Sequence, residues 1–115
     1  MIKVLHNPTC SKSRGILEYL DESGVEFEVI DFVKEPLSEL EIKTVLKKLN
    51  INVQDIIRKN ETVYKEEFVN QSLSEEEWIK ILSEHPELIQ RPILVKGAAA
   101  IIGRPVEHVK FFIEK

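Results

Sequence analysis

The run IKVLHNPTCSKSRGILEYLDESGVEFEVIDF, Ile2 to Phe32, decides how the chain is to be read. IKVLH is a near-continuous apolar segment, as expected of a strand covered on both faces, and Asn7-Pro8 ends it with a turn signal. From Ser11 onward Ile16, Leu17 and Leu20 recur at helical spacing, and Gly24 sits where a glycine closes a helix. VEFEVIDF then alternates, with Val25, Phe27 and Val29 expected on one side and Glu26 and Glu28 on the other. The order is strand, helix, strand.

Working outward, Ser38 with Glu41 forms a capping box ahead of Ile42, Val45, Leu46 and Leu49, an i, i+3, i+4, i+7 stripe. A second box, Ser74 with Glu77, precedes Trp78, Ile81 and Leu82, and the His85-Pro86 step stops that helix. VQDIIRKN, between the two, reads as a further short helical piece. RPILV and AAAIIG read as two strands joined by a turn at Lys96-Gly97, and Pro105 suits the first position of a last helix with Val106, Val109, Phe112 and Ile113 turned inward. The whole order, β-α-β, helices, β-β-α, is that of an α/β thioredoxin-like fold. It predicts one domain over residues 1–115, with a mixed four-stranded sheet, flanking helices and a helical insertion at about 36–86.

A chain of 115 residues fits one hydrophobic core. Its net charge of -4 and pI near 5.4 argue against a nucleic-acid partner, which calls for a basic face and a pI above about 9. Met1 to Leu5 is too short for a signal peptide, and no run approaches the roughly 18 apolar residues of a membrane span, so a cytoplasmic protein without membrane association is expected. A monomer is the default.

The chain holds one cysteine, Cys10, which cannot form an internal disulfide. A free cysteine is commonly an inert core residue, so its surroundings decide. A thiol just ahead of a helix meets unpaired backbone N–H groups and the positive end of the helix dipole, which favour the thiolate. The same loop, with Ser11, Lys12, Ser13 and Arg14, forms a cradle for an anion. His6, at the end of the strand, is placed to bond the thiolate or nearby backbone; a strand-end histidine satisfied by solvent is an equal alternative.

Of sixteen basic residues twelve are Lys and four are Arg: Arg14, Arg58, Arg91 and Arg104. Arginine's rigid fork grips two oxygens of an anion at once. Each arginine alone reads as an ordinary surface residue, but Arg58, Arg91 and Arg104 all stand beside turn or helix-end signals. In a thioredoxin-like fold a cis proline ahead of the third strand faces the active cysteine, and Pro92 falls there, next to Arg91. A C-x-x-x-x-x-R phosphatase loop fails because Ile16 stands where the arginine would be, and a C-x-x-C dithiol fails at Ser13. Metal ligation is weak, since His6, Cys10, His85 and His108 lack clustered ligand spacing. What remains is a thiolate in an arginine-lined anion pocket that draws electrons from outside thiols.

The runs HNPTCSKSR, IIRKN, HPELIQRPILV and GRP, in this order, resemble the glutaredoxin-coupled arsenate reductases of the ArsC/Spx group within the thioredoxin-like fold. The resemblance implies that Cys10 attacks arsenate to form a thiol-arsenate adduct, on which glutathione condenses before glutaredoxin supplies the second thiol and arsenite is released. It implies Arg58, Arg91 and Arg104 as catalytic, anion-binding groups and His6 as the histidine of thiolate activation. No bound cofactor is implied, glutathione being a co-substrate. Two other readings stay open: an Spx-like regulator that binds RNA polymerase, whose redox-sensing members carry the C-x-x-C that Ser13 removes, and a glutathione-dependent thiol-transferase.

Overall fold

A computed structural model of the chain describes residues 2–7, 11–103 and 106–114, with Ser11, Lys12 and Val106 as backbone only. The chain divides into two compact units, Met1–Glu35 with Arg91–Lys115, and Pro36–Gln90.

The first unit is built on a four-stranded mixed sheet in the order β2-β1-β3-β4. Strand β1 is Ile2–His6, β2 Phe27–Asp31, β3 Ile93–Lys96 and β4 Ala99–Ile102; helix α1 is Ser11–Glu22 and the last helix, α5, Val106–Glu114. β1 and β2 are parallel, Val4 opposite Val29, and parallel neighbours need a crossover, which α1 supplies. α1 ends in a Schellman closure: Val25 N–H donates to Leu20 O, Gly24 N–H donates to Asp21 O, and Gly24 takes φ 72. β3 runs antiparallel to β1, Leu5 opposite Ile93, and to β4 through the two-residue loop Gly97-Ala98. Gly97, at φ 60, fills the first loop position, where a type II′ turn demands positive φ.

Ile2 and Val4 of β1 and Leu94 of β3 meet Ile16 and Leu20 of α1 and Val109 and Phe112 of α5 in one apolar cluster. The 3.6-residue period of the helices and the two-residue period of the strands converge on this one face. Phe27 and Val25 pack against the cluster, but Val29 does not follow them inside and is 44% exposed. The alternation of VEFEVIDF predicted Val29 on the covered side. β2 is an edge strand of the sheet, paired on one side only among the described residues, and Val29 lies on it between more covered residues.

In the second unit Ser38 and Ser74 cap α2 (Glu39–Leu49) and α4 (Glu75–Glu84), each with both hydrogen bonds of the capping box. Ile42, Val45 and Leu46 of α2 and Trp78, Ile79 and Leu82 of α4 are buried, as their spacing predicts. Trp78 also stacks on Tyr64 and meets the edge of Phe68, both from a single π-helical turn, Tyr64–Phe68, that no sequence pattern announces. The helical piece expected through VQDIIRKN is confined to α3, Val53–Ile56. Ile57 leaves the helix because its backbone is extended and bridges antiparallel to Ile89.

Ser38→Ala and Ser74→Ala should each cost about 1 kcal/mol of stability, since either change strips a first-turn N–H of its acceptor. Urea unfolding checks this: a lower midpoint at unchanged slope is expected for both.

Candidate active site

β1 delivers its last residue, His6, opposite Asp31 of β2, and α1 opens at Ser11. Between them, Cys10 lies outside the described residues together with Pro8 and Thr9; Arg104 and Pro105 lie outside them as well. Because Leu5 faces Ile93 and Ile93 faces Ile102, the residues just before β3 and just after β4 fall at this same end of the sheet. Arg91, Pro92 and Gly103 are therefore brought to the carboxyl end of β1.

Buried polar side chains are the informative ones, because burial without a purpose is costly. Among the described residues four polar or charged ones are buried, His6, Asn7, Ser13 and Arg91, and all four stand at this one end. Ser13 is fully buried and its Oγ accepts a hydrogen bond from Asn7 N–H at 3.3 Å, which ties the first turn of α1 back to the end of β1. Arg91 is 7% exposed and its peptide bond to Pro92 is cis. Pro92 in turn accepts a hydrogen bond from Gly103 N–H at 2.7 Å. A Cβ on Gly103 would stand 2.9 Å from both Leu94 Cδ1 and Pro92 Cγ, so only glycine allows β4 to end so close to this proline.

His6 is 6% exposed, and its Nδ1 is buried without a hydrogen-bond partner among the described residues. Burial pushes its pKa below the ordinary 6.5, the positive charge of Arg14 pushes it the same way, and the Asp31 carboxylate opposes both. The imidazole is thus held neutral near pH 7, with a ring nitrogen able to accept a proton. Asp31 Oδ1 also accepts from Val33 N–H and Lys34 N–H, each at 3.0 Å, which fixes the carboxylate at the strand end. Arg14 itself is exposed, and of Ser11 and Lys12 only the backbone, in the first turn of α1, is described.

Arg58 belongs to the second unit. Its backbone N–H donates to Leu88 O at 2.6 Å beside the Ile57–Ile89 bridge, and its Nε donates to Glu61 Oε1 at 3.1 Å. Glu61 and Asp31 escape a reading of the sequence. The i, i+3 spacing of Arg58 and Glu61 is visible there, but nothing marks the segment between them as turning back on itself. That unit also has an open groove of about 700 Å³ between α2, α3 and the start of α4, with Leu46, Ile51 and Ile79 among its lining; no predicted site residue lines it. Among the described residues no three His, Cys, Asp or Glu side chains gather as a metal site, and no helix is long and apolar enough to cross a membrane.

The sequence model of the ArsC family matches residues 5–112. The chain is 42% identical over 110 residues to the uncharacterised Escherichia coli protein YfgD, covering 94% of this chain and 92% of that one. It is 34% identical over 111 residues to an arsenate reductase of Neisseria meningitidis, covering 95% of each. In structure it superposes on an arsenate reductase from Vibrio cholerae with a TM-score of 0.90 at 38% identity, over 96% of this chain and 95% of that one.

Two outcomes follow from this geometry. Gly103→Ala should destabilise the protein by about 1–3 kcal/mol in a denaturation experiment, because the proline ring that its Cβ meets cannot swing aside. His6 titrates at a lower pH folded than unfolded, so the unfolded chain binds more protons and His6's contribution, complete above pH 6.5, fades as pH falls towards the folded value. Between about pH 7.5 and about pH 5.5, His6→Gln should therefore lose less stability than the parent protein. Equal losses would remove His6 as the responsible group.

Proposed function

The chain belongs to the ArsC family, and from that premise we propose that it is an oxidoreductase reducing arsenate to arsenite at Cys10. The observation that carries the reading is the concentration of buried polar groups, His6, Asn7, Ser13 and Arg91, at the sheet end from which the chain passes through its single cysteine into α1.

Near neutral pH arsenate carries close to two negative charges, and a thiolate approaching it is repelled unless cations stand by. Arg91, Arg58 and Arg104 are the groups proposed to supply them, with the N–H groups of Ser11 to Arg14 at the start of α1 binding the remaining oxygens. Neutral His6 takes the thiol proton, and Asp31 steadies the imidazolium that results. The Cys10 sulfur then displaces one oxygen of arsenate, which leaves as water, giving a thiol-arsenate adduct. Glutathione displaces a second oxygen as water. A glutaredoxin thiolate attacks the glutathione sulfur, so the two thiols become a mixed disulfide and their two electrons reduce arsenic from the +5 to the +3 state. Hydrolysis of the remaining sulfur-arsenic bond frees arsenite and restores Cys10. No resident cofactor enters. The dependence on glutathione suits a protein of the reducing cytoplasm, and a monomer remains the proposed state.

The test is arsenate reduction by the purified protein with glutathione and glutaredoxin. Cys10→Ser should abolish turnover, and residual reduction would refute covalent catalysis at sulfur. Arg58→Ala, Arg91→Ala and Arg104→Ala should each lower the rate by about 10² to 10³, the usual loss when one charge-assisted donor is removed from a developing oxyanion. Near-full activity in all three would return them to the surface-residue reading. Disulfide turnover with arsenate absent, without arsenate reduction when it is present, would favour the thiol-transferase.

A further inference from the structure

Arg58 is anchored at both ends. Pairing of the segment at Ile57 with Ile89, and the bond from Arg58 N–H to Leu88 O, fix its backbone. At the tip, Glu61 Oε1 accepts from Nε at 3.1 Å. The remainder of the guanidinium is different, because Nη1 is buried yet makes no hydrogen bond among the described residues.

A guanidinium offers an oxyanion two forks, one through Nε and an Nη, the other through both Nη atoms. With Nε taken by Glu61, the side fork is closed and the end fork remains. A buried N–H of a charged group without an acceptor is expensive, so Nη1 is left for an acceptor that no described residue supplies. We propose that Glu61 is a positioning residue: by holding the Nε edge of Arg58 it turns the Nη end of the guanidinium to the oxyanion substrate. The inference rests on the reading of Arg58 as an anion-binding group given above.

Two features make this separable from a plain charge effect. The pair is partly exposed, 21% for the Arg58 side chain and 29% for Glu61, so its loss removes little stability. A carboxylate near an anion site is repulsive, and by charge alone its removal tightens anion binding. Loss of positioning weakens it, so the two effects have opposite sign.

The experiment measures the arsenate concentration that half-protects Cys10 from alkylation by iodoacetamide, a readout that needs no reductant. Glu61→Ala should raise it about tenfold through misorientation of the guanidinium. Glu61→Gln, whose amide oxygen still accepts from Nε, should stay within about twofold of the parent. In an Arg58→Ala background, Glu61→Ala should weaken protection no further, since the group it positions is gone. If Glu61→Ala fails to fold, Glu61→Met, which keeps the length without an acceptor, is read in its place. Equal or tighter protection in Glu61→Ala, with Arg58→Ala impaired, would overturn the positioning role and leave Arg58 as the anion group. Equal weakening in Glu61→Ala and Glu61→Gln would overturn it too, since the Gln oxygen keeps the acceptor for Nε and the loss would then not be one of positioning. An Arg58→Ala protein protected like the parent would remove the premise, and the proposal with it.

Discussion

The antiparallel pairing of β1 with β3, Leu5 opposite Ile93, is the constraint from which the first unit follows. It spans almost the whole chain in sequence, so it carries a loop-closure cost, and it is offset by burial of Val4, Leu5, Ile93 and Leu94, all nearly or wholly removed from water. One register then fixes three things together. It sets the end of β1 at His6 beside the start of β3, it lets β4 stop against Pro92, and it leaves the first turn of α1 at the same end. A slip of one residue would exchange the side chains that β3 presents to the two covered faces and take Leu94 out of its cluster with α1 and α5, so the polar residues beyond its end are positioned by the hydrophobic ones within it.

That division of labour explains why polar groups are buried here. His6 and Asn7 continue a strand whose preceding residues are core, and Ser13 lies one turn ahead of Ile16 and Leu20, on a helix drawn in by its apolar stripe. Each is carried out of water by neighbours that gain from burial. The cost appears in the lowered pKa of His6, where desolvation and the nearby Arg14 charge together outweigh Asp31. For a group asked to accept a proton near neutral pH, this is the direction that keeps it ready.

Periodicity made most of the fold legible. The strands and helix of the β1-α1-β2 run, both capping boxes, the Gly24 closure and the β3-β4 turn are each written in short stretches of adjacent residues, and local chemistry decides them. What escaped is decided between segments. Val29 has the right parity for the core and is left 44% exposed by the edge position of β2, which no local pattern reveals. Ile57 belongs to an apolar run that reads as helix, yet it pairs with Ile89 thirty-two residues on. Of the candidate site, His6, Ser13 and Arg91 could be named from residue type and position, because a strand end, a helix start and an X-Pro step are local signals. Asp31 and Glu61 could not be: acidic residues are common in this chain, and only the fold sets these two apart.

The same contrast bears on how the second unit holds its arginine. A long cationic side chain at a turn would normally lose its orientation to entropy, at a cost that grows with each free rotor. Around Arg58 the restraint is assembled from ordinary parts: an extended residue paired across to Ile89, a carbonyl from Leu88, and one carboxylate three residues ahead. These depend in turn on the 3-10 turn Pro86–Leu88, which exists because Pro86 stops α4 and sends the chain back alongside α3. A helix-breaking proline thus has its effect about thirty residues upstream, at a guanidinium it does not adjoin in sequence.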